Sequence, residues 1–526
     1  MACPNGSDIR RWVGVIAQRR KTGLSDAAAY DQAWRIITEV NPFPSVLGRI
    51  CPHPCEAGCN RATFDEPLAI HSMERFLGDW AIDRELPLRR LTHKRLTEKI
   101  GVVGAGPSGL SFAYQMARRG YRVTVYDGNE APGGMLRFGI PSYRLPKYIL
   151  DAEIDRIEKL GVDIRPSLKI GRDITLDNLR SRYSAVYVAL GAGQGRLLEI
   201  PGEQGRAVRT GVEFLLAASR GQRFDLGKTT LVLGGGSTAV DAARTARRFG
   251  SKAVIAYRRT RREMPAAKEE IQDALDEGVE LLPLVQVIQL ERDDAGSLVA
   301  AVTRRMRLGG PDSSGRKRPI PLAGSEERLP VDSVILAISQ HPDLEGFDEV
   351  ASRGDWLLER DPSDAGAEVL AGGDVTGLGI AGNAIVQGRL AAEALHERFQ
   401  GTRPFPREAP TRIMESGRVK FESRGFVSRA VGKKLGVAER FVSRDAEVAG
   451  GITRRQFLDE AERCASCGSC FGCGQCAMFC TTGCYEELPH GFHGNYFELS
   501  RDRCHECGKC VEVCPSGFLE MADVEP

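Results

Sequence analysis

Residues 99–110 read KIGVVGAGPSGL. Ile100–Val103 is a short apolar run of strand type, and Gly104, Gly106 and Gly109 complete G-x-G-x-x-G. Residues 108–119 then follow a helical pattern, and a second strand at 121–126 ends in Asp127. That order of strand, turn, helix and strand is the context a dinucleotide-binding fingerprint requires. The glycines allow a tight turn and close approach of backbone to a pyrophosphate, and the helix N-terminus faces its phosphates. Asp127, about twenty residues on, can accept from ribose hydroxyls. Pro107 and Ser108 lie inside the same turn and belong to this binding set.

A second copy follows at 231–259, LVLGGGSTAVDAARTARRFGSKAVIAYRR. Gly234, Gly236 and Ala239 stand at the fingerprint positions, after a strand at 230–233, and Ser237 and Thr238 open the helix. The next strand, 253–257, ends not in an acid but in Tyr257-Arg258-Arg259. A carboxylate there would repel a 2′-phosphate, whereas arginines bind one, so NADPH is expected over NADH. Two such sites in one chain pair a flavin with a nicotinamide. Further on, EVLAGGDVTGLGIAGNAIVQ carries a strand ending in Gly372-Gly373-Asp374 and a glycine-rich turn into a helix. It is expected to bring Asp374 to a second part of the first cofactor, FAD; a helix cap is the plainer role for that aspartate. The nicotinamide domain is thus an insertion in the flavin domain.

The fifteen cysteines are segregated. Four lie at 3, 51, 55 and 59, eleven lie between 464 and 514, and none falls between. A disulfide framework would scatter them; metal clusters concentrate them. Cys470, Cys473, Cys476 and Cys480 follow C-x2-C-x2-C-x3-C, and Cys504, Cys507, Cys510 and Cys514 repeat it, with Pro515 next. In this bacterial two-cluster ferredoxin pattern the fourth cysteine of each run serves the other cluster. Cys470, Cys473, Cys476 and Cys514 are therefore expected on one [4Fe–4S] cluster, and Cys504, Cys507, Cys510 and Cys480 on the second. Zinc favours ligand pairs and fits two runs of four poorly. Cys464, Cys467 and Cys484 are surplus: ligands of a further cluster, an alternative register, or free buried thiols. In the head, GRICPHPCEAGCN carries Cys51, Cys55 and Cys59, and a helical segment at 27–40 can fold Cys3 back towards them; spacing alone leaves iron–sulfur and zinc both open.

Composition excludes other classes. With 72 basic and 70 acidic residues the chain lacks the basic excess of a nucleic-acid binder. There is no apolar leader and no stretch of 18 uncharged apolar residues, so a cytoplasmic protein without a membrane span is expected. A disulfide reductase of the same architecture needs a C-x-x-C in the nicotinamide domain, and 226–344 contains no cysteine. Residues 401–463 hold 14 Lys/Arg and 9 Asp/Glu; residues 464–526 hold 3 and 9. The basic linker can clamp the acidic tail, dock an acidic partner, or be a solvated connector, with Lys433 and Lys434 as the residues to test.

The pieces GRICPHPCEAGCN, VVGAGPSGL, PGGMLRFGIPSYRLPK, LGGGSTAVDAAR, YRRTRREMPA, ILAISQHPD and AGGDV, across residues 3 to 395, together resemble the glutamate synthase small-subunit family. The resemblance implies that Gly104, Gly106, Gly109, Asp127, Gly133, Gly134, Met135, Arg137, Gly373 and Asp374 serve FAD. Gly234, Gly236, Ser237, Thr238, Arg258 and Arg259 then serve NADPH. It also implies a head cluster on Cys3, Cys51, Cys55 and Glu74, with Cys59 either idle or replacing Glu74. That family's other head cluster uses a C-x2-C-x4-C that does not precede Cys3 here, so one head cluster is expected and two in the tail. The ferredoxin tail departs from that family. It is similar to DsrL-type iron–sulfur flavoproteins of dissimilatory sulfur metabolism and to flavoprotein subunits of 2-oxoacid:ferredoxin oxidoreductases. The expected fold is α/β, with two nested Rossmann-like domains between two iron–sulfur domains: head 1–98, FAD domain 99–225 and 345–400, nicotinamide domain 226–344, linker 401–463, ferredoxin 464–526. The expected function is an NAD(P)H:acceptor oxidoreductase, assembled as an oligomer or hetero-complex. It relays electrons through FAD to or from a protein partner such as a sulfite reductase or 2-oxoacid oxidoreductase. No residue is nominated as a catalytic acid, base or nucleophile, because hydride transfer needs none.

Overall fold

The computed structural model describes residues 2–313, 315–350, 352–358, 369–401, 413–422 and 424–522. The longer helices of the head are α1 (Ile9–Ala17), α2 (Asp26–Thr38), α3 (Pro44–Ile50) and α4 (Ile70–Asp83). Side chains cap the first two, Asp8 accepting from Arg11 N and Ser25 from Ala28 N. Their apolar stripes meet around Trp12, Tyr30, Ile37, Met73 and Leu77.

The first sheet begins with β1 (Lys99–Val103), followed by α5 (Pro107–Arg118), β2 (Arg122–Tyr126), α6 (Lys147–Glu158), β3 (Asp163–Arg165) and β4 (Ala185–Val188). The chain then leaves for a second parallel sheet. Its elements are β5 (Val208–Thr210), β6 (Thr229–Leu233), α7 (Ser237–Arg248), β7 (Lys252–Tyr257) and β8 (Glu280–Pro283). An antiparallel sheet of β9 (Val285–Arg292), β10 (Leu298–Pro311) and β11 (Lys317–Pro330) interrupts it before β12 (Ser333–Leu336). The chain returns to the first sheet with β13 (Val369–Ala371) and the long α8 (Ala381–Gln400). The strand orders are β13-β4-β1-β2-β3 and β5-β12-β6-β7-β8, so the second domain is nested in the first. One boundary shifts: β5 pairs with β12, and Phe214 and Leu215 of the following helix enter the second core, so 208–225 belong with the second sheet and not the first. The antiparallel sheet was not anticipated from sequence.

The head is welded to the first domain by polar groups that complete each other's helix ends. Tyr114 Oη donates to Thr38 O at 2.6 Å, and Gln115 and Arg118 donate to Glu39 O, closing the C-terminus of α2. Buried Glu153 of α6 accepts from Ser45 N and Val46 N at the start of α3.

The linker is a strap. Lys434 pairs with Asp273 of the nicotinamide domain at 2.8 Å, and Arg440 reaches Asp273 and Glu277. Arg429 binds Glu56 of the head, and Val448 N donates to Tyr143 O of the flavin domain. The expected clamp on the acidic tail thus fails for Lys434; Lys433 is exposed, while Arg418, near Glu520 and the Leu519 carbonyl, and Arg424, over the Phe471 ring, do reach the tail. The first part of the linker, 402–412, lies outside the described residues. α9 (Arg454–Glu462), expected in the linker, instead packs as a further head helix. Its Phe457 is fully buried, stacked on Phe76 at 4.1 Å and edge-on to Tyr30 at 5.2 Å. No helix among the described residues is long and apolar enough to cross a membrane.

Candidate functional site

At the first fingerprint the turn between β1 and α5 leaves no room for side chains at Gly104 and Gly109. Gly104 adopts φ +101°, and a Cβ there would lie 2.3 Å from Ala189 O. A Cβ on Gly109 would lie 1.9 Å from Gly104 O, so the third glycine lets the helix pack on the turn. Gly106 is open: nothing nearer than 4.0 Å faces its missing Cβ, and there the backbone is free to meet a ligand. Asp127 braces this turn. Its Oδ2 accepts from Ala105 N at 2.7 Å and its Oδ1 from Asn129 N at 2.8 Å. Burial pushes its carboxyl up despite these bonds.

The other residues assigned to FAD gather here. Gly133 N donates to Ala105 O at 2.7 Å, and a Cβ on Gly134 would come within 2.8 Å of Gly106 Cα, so the two glycines lie against the fingerprint, while the Met135 side chain lies against Gly139. Arg137 is turned back: Nε donates to Pro132 O at 2.5 Å and Nη2 to Asp151. From the returning half, Gly373 packs on Ser108, whose Oγ shares a 2.8 Å hydrogen bond with Tyr187 Oη. Asp374 accepts from Gly379 N at 3.2 Å, whereas α8 has no side-chain cap, so Asp374 is not that helix's cap. Burial pushes its carboxyl up to about 6.

The second fingerprint repeats the geometry. Gly234 has φ +141°, with Ala337 O at 2.2 Å from a Cβ there, while Gly236 is open. Ser237 Oγ donates to Glu270 at 2.8 Å, and Thr238 packs against Gly211. The two arginines at the end of β7 differ. Arg258 is exposed and has no partner among the described residues. Arg259, expected to face a phosphate, is buried; it donates to Lys317 O at 2.8 Å and to Asp312 at 2.5 Å, anchoring the β10–β11 hairpin. Sequence reasoning also missed a bridge between the domains. Arg144, in the quoted FGIPSYRLPK stretch, binds Asp241 of α7 at 2.6 Å and Glu270. Burial pushes Asp241 up to about 6.

In the head, Cys3, Cys51, Cys55 and Glu74 form one electrostatic group, each thiol lying in the field of Glu74. Burial pushes all three thiols up, Cys51 to about 12, and pushes Glu74 up to about 7 against a 2.9 Å hydrogen bond from Asn41. Buried thiols suit a metal centre, which supplies positive charge and takes their protons' place. Cys51 also packs against the flavin-domain core, so this centre borders the FAD domain. Cys59 lies in the field of Cys464 and Cys467.

In the tail, Cys470, Cys473, Cys476 and Cys514 line one cavity with Tyr485 and Phe497. That is the crossed set the spacing implied, three thiols from one run and the last of the other. Around the other centre, Cys484 is buried, its N donates to Cys480 Sγ at 3.3 Å, and it lies in the field of Cys504. Tyr485 contacts Cys510. A hairpin, β14 (Tyr485–Phe492) and β15 (Asn495–Leu499), separates the two cysteine runs. Among the described residues no three cysteines bring their ligand atoms within 4.8 Å of one another.

Comparison with known proteins agrees with this geometry. Residues 98–393 match the pyridine nucleotide-disulphide oxidoreductase family. Residues 1–86 match the 4Fe–4S cluster domain II of dihydropyrimidine dehydrogenase, and residues 469–518 match the 4Fe–4S dicluster domain. The chain is 36% identical over 505 residues to the NADP(+)-dependent formate dehydrogenase subunit beta of Moorella thermoacetica, over 88% of this chain and 69% of that one. It is 38% identical over 350 residues to the NADPH-Fe(3+) oxidoreductase subunit beta of Geobacter sulfurreducens, spanning 65% of this chain but only 50% of that relative. It is 31% identical over 417 residues to the glutamate synthase (NADPH) small chain of Escherichia coli, over 75% of this chain and 86% of that one. Mycobacterium tuberculosis FprA in complex with NADPH superposes with a TM-score of 0.51 at 18% identity, over 59% of this chain and 88% of that one, which supports the fold. The chain therefore belongs to the pyridine nucleotide-disulphide oxidoreductase family, as an iron–sulfur flavoprotein oxidoreductase that uses FAD, a nicotinamide dinucleotide and [4Fe–4S] clusters.

Proposed function

We propose that this chain is the NADPH-oxidising subunit of a hetero-complex and exchanges electrons with a protein partner through its ferredoxin tail. One arrangement carries the reading: two fingerprints on nested sheets, a thiol centre bordering the flavin domain, and a crossed tail ligand set, all in one chain. When bound, the flavin converts a two-electron hydride donor into one-electron traffic through the clusters. The chain's own residues hold and orient the parts. The turns at Gly106 and Gly236 offer backbone to the pyrophosphates, Arg144 locks the fingerprint helix α7 to the flavin domain, and exposed Arg258 suits a 2′-phosphate. The relatives named for NADPH support that donor.

For the partner, the likeness of the tail to DsrL-type proteins suggests a dissimilatory sulfite reductase, and its equal likeness to flavoprotein subunits of 2-oxoacid:ferredoxin oxidoreductases suggests one of those. A second reading has its own support: the Moorella relative, whose match extends over most of this chain, is a formate dehydrogenase subunit, which favours a catalytic oxidoreductase of another substrate class, as do the glutamate synthase and 2-oxoacid oxidoreductase types. Anaerobic affinity purification from the native host, with co-purifying chains identified by mass spectrometry, decides between them. A sulfite reductase in the eluate supports the first reading. A different catalytic subunit refutes it and leaves the NADPH-oxidising relay, and recovery of the chain alone, reducing its acceptor unaided, refutes the hetero-complex.

A further inference from the structure

Three cysteines that the ferredoxin and head motifs leave over meet at one place. Cys59 belongs to the head, and Cys464 and Cys467 stand just after α9, more than four hundred residues later. Arg61 Nη1 donates to Arg463 O at 2.5 Å, fastening the backbone beside Cys59 to the backbone beside Cys464. Asn60 Nδ2 donates to Met414 O at 2.9 Å, and its side chain reaches the Cys467 thiol. Arg10 donates to Cys467 O, and Gln18 Nε2 to Ser466 Oγ at 3.4 Å. Cys59 and Cys464 pack against one apolar cluster of the head, and Cys467 packs beside Phe64 and Met414.

We propose that Cys59, Cys464 and Cys467 hold a further iron–sulfur cluster at the seam between head and tail, its ligands drawn from both ends of the chain. This rests on the reading of the head as an iron–sulfur domain. The C-x-x-C spacing of Cys464 and Cys467 is that of two ligands to one metal centre. Cys464 lies in the field of both Cys467 and Cys59, and Cys467 in that of Cys59, so the three thiols face one another across the seam. Arg424 lies in the field of Cys464 and Cys467, and Arg10 in that of Cys467, where guanidinium groups would balance an anionic thiolate cluster. With three thiolates the set parallels Cys3, Cys51 and Cys55, whose fourth member, Glu74, is also not a thiol; Asn60 is placed to be the fourth here. The position gives the cluster a task. Cys55 is four residues from Cys59 and Cys470 three from Cys467, at most about 14 Å and about 11 Å along an extended chain. A cluster here links the centre beside the flavin domain to the ferredoxin tail.

The test is iron and acid-labile sulfide per FAD, with electron paramagnetic resonance of the reduced protein, on the anaerobically purified full chain. The wild type should carry about 16 iron atoms, four clusters' worth, and about 12 would overturn the proposal. Cys464→Ser with Cys467→Ser, and separately Cys59→Ser, should each lose about four iron atoms and one signal while keeping FAD. Cys484→Ser, away from the seam, should lose none of the seam's iron. Unchanged iron in both seam variants would refute the site. Cys51→Ser with Cys55→Ser tests the head reading by itself: if it costs no iron, the head is not an iron–sulfur domain at all. Should a seam variant lose FAD and fail to fold, the wild-type iron count decides.

Discussion

Arg258 and Arg259 are adjacent in sequence and chemically identical, yet the structure gives them different work. Arg258 is exposed at the end of β7 with no partner among the described residues, so its guanidinium is available to a 2′-phosphate. Arg259 is buried and committed to Asp312 and the Lys317 carbonyl. A hydrogen bond to a charged group contributes about 1.5–3 kcal/mol. At about 1.4 kcal/mol per tenfold, Arg258→Ala should raise the KM for NADPH by about 10- to 100-fold and leave the KM for NADH within about twofold. Arg259→Ala removes a buried guanidinium that ties Asp312 and the Lys317 carbonyl to the end of β7. It should lower thermal stability and affect both nucleotides alike. The assay is steady-state reduction of a dye acceptor by each nucleotide, with FAD content measured for each variant. Equal KM increases for both nucleotides in Arg258→Ala, or nucleotide selectivity confined to Arg259→Ala, would refute the assignment.

Gly109→Ala should abolish FAD retention, because the new Cβ would lie 1.9 Å from Gly104 O and part the helix from the turn; the flavin absorbance of the purified variant reports it. Glu277 is fully buried against Arg244 and Arg248, with Arg440 of the linker at 3.3 Å. Burial works against its charge, but the arginines outweigh it and hold the carboxyl down at about 2 from an ordinary 4.5. The charge therefore contributes about 3 kcal/mol that is present above pH 4.5 and lost as pH falls towards 2. Glu277→Gln should lower Tm at neutral pH, and the gap from wild type should shrink as the pH is lowered below 4.5 in thermal melts.

Much of the site was legible because its signals are local. A fingerprint glycine is required by its own turn, as at Gly104 and Gly109, and the crossed ligand set of the tail follows from two spacings repeated in one short segment. The nested order of the domains was also readable, since the AGGD segment had to return to the first sheet. What stayed hidden depends on partners distant in sequence. Asp312 takes Arg259 out of the nucleotide site only because the β10–β11 hairpin folds back under it. Phe457 makes α9 a head helix through Tyr30 and Phe76, some four hundred residues away.

The sequence by itself determined the two dinucleotide folds, their order and the clustering of thiols, because backbone sterics and ligand spacing act over a few residues. Only the tertiary structure decided which arginine is free, what the linker holds, and that Cys59 faces Cys464 and Cys467. Burial and charge pairing are properties of surfaces brought together by packing, and no local pattern in the chain records which surfaces those will be.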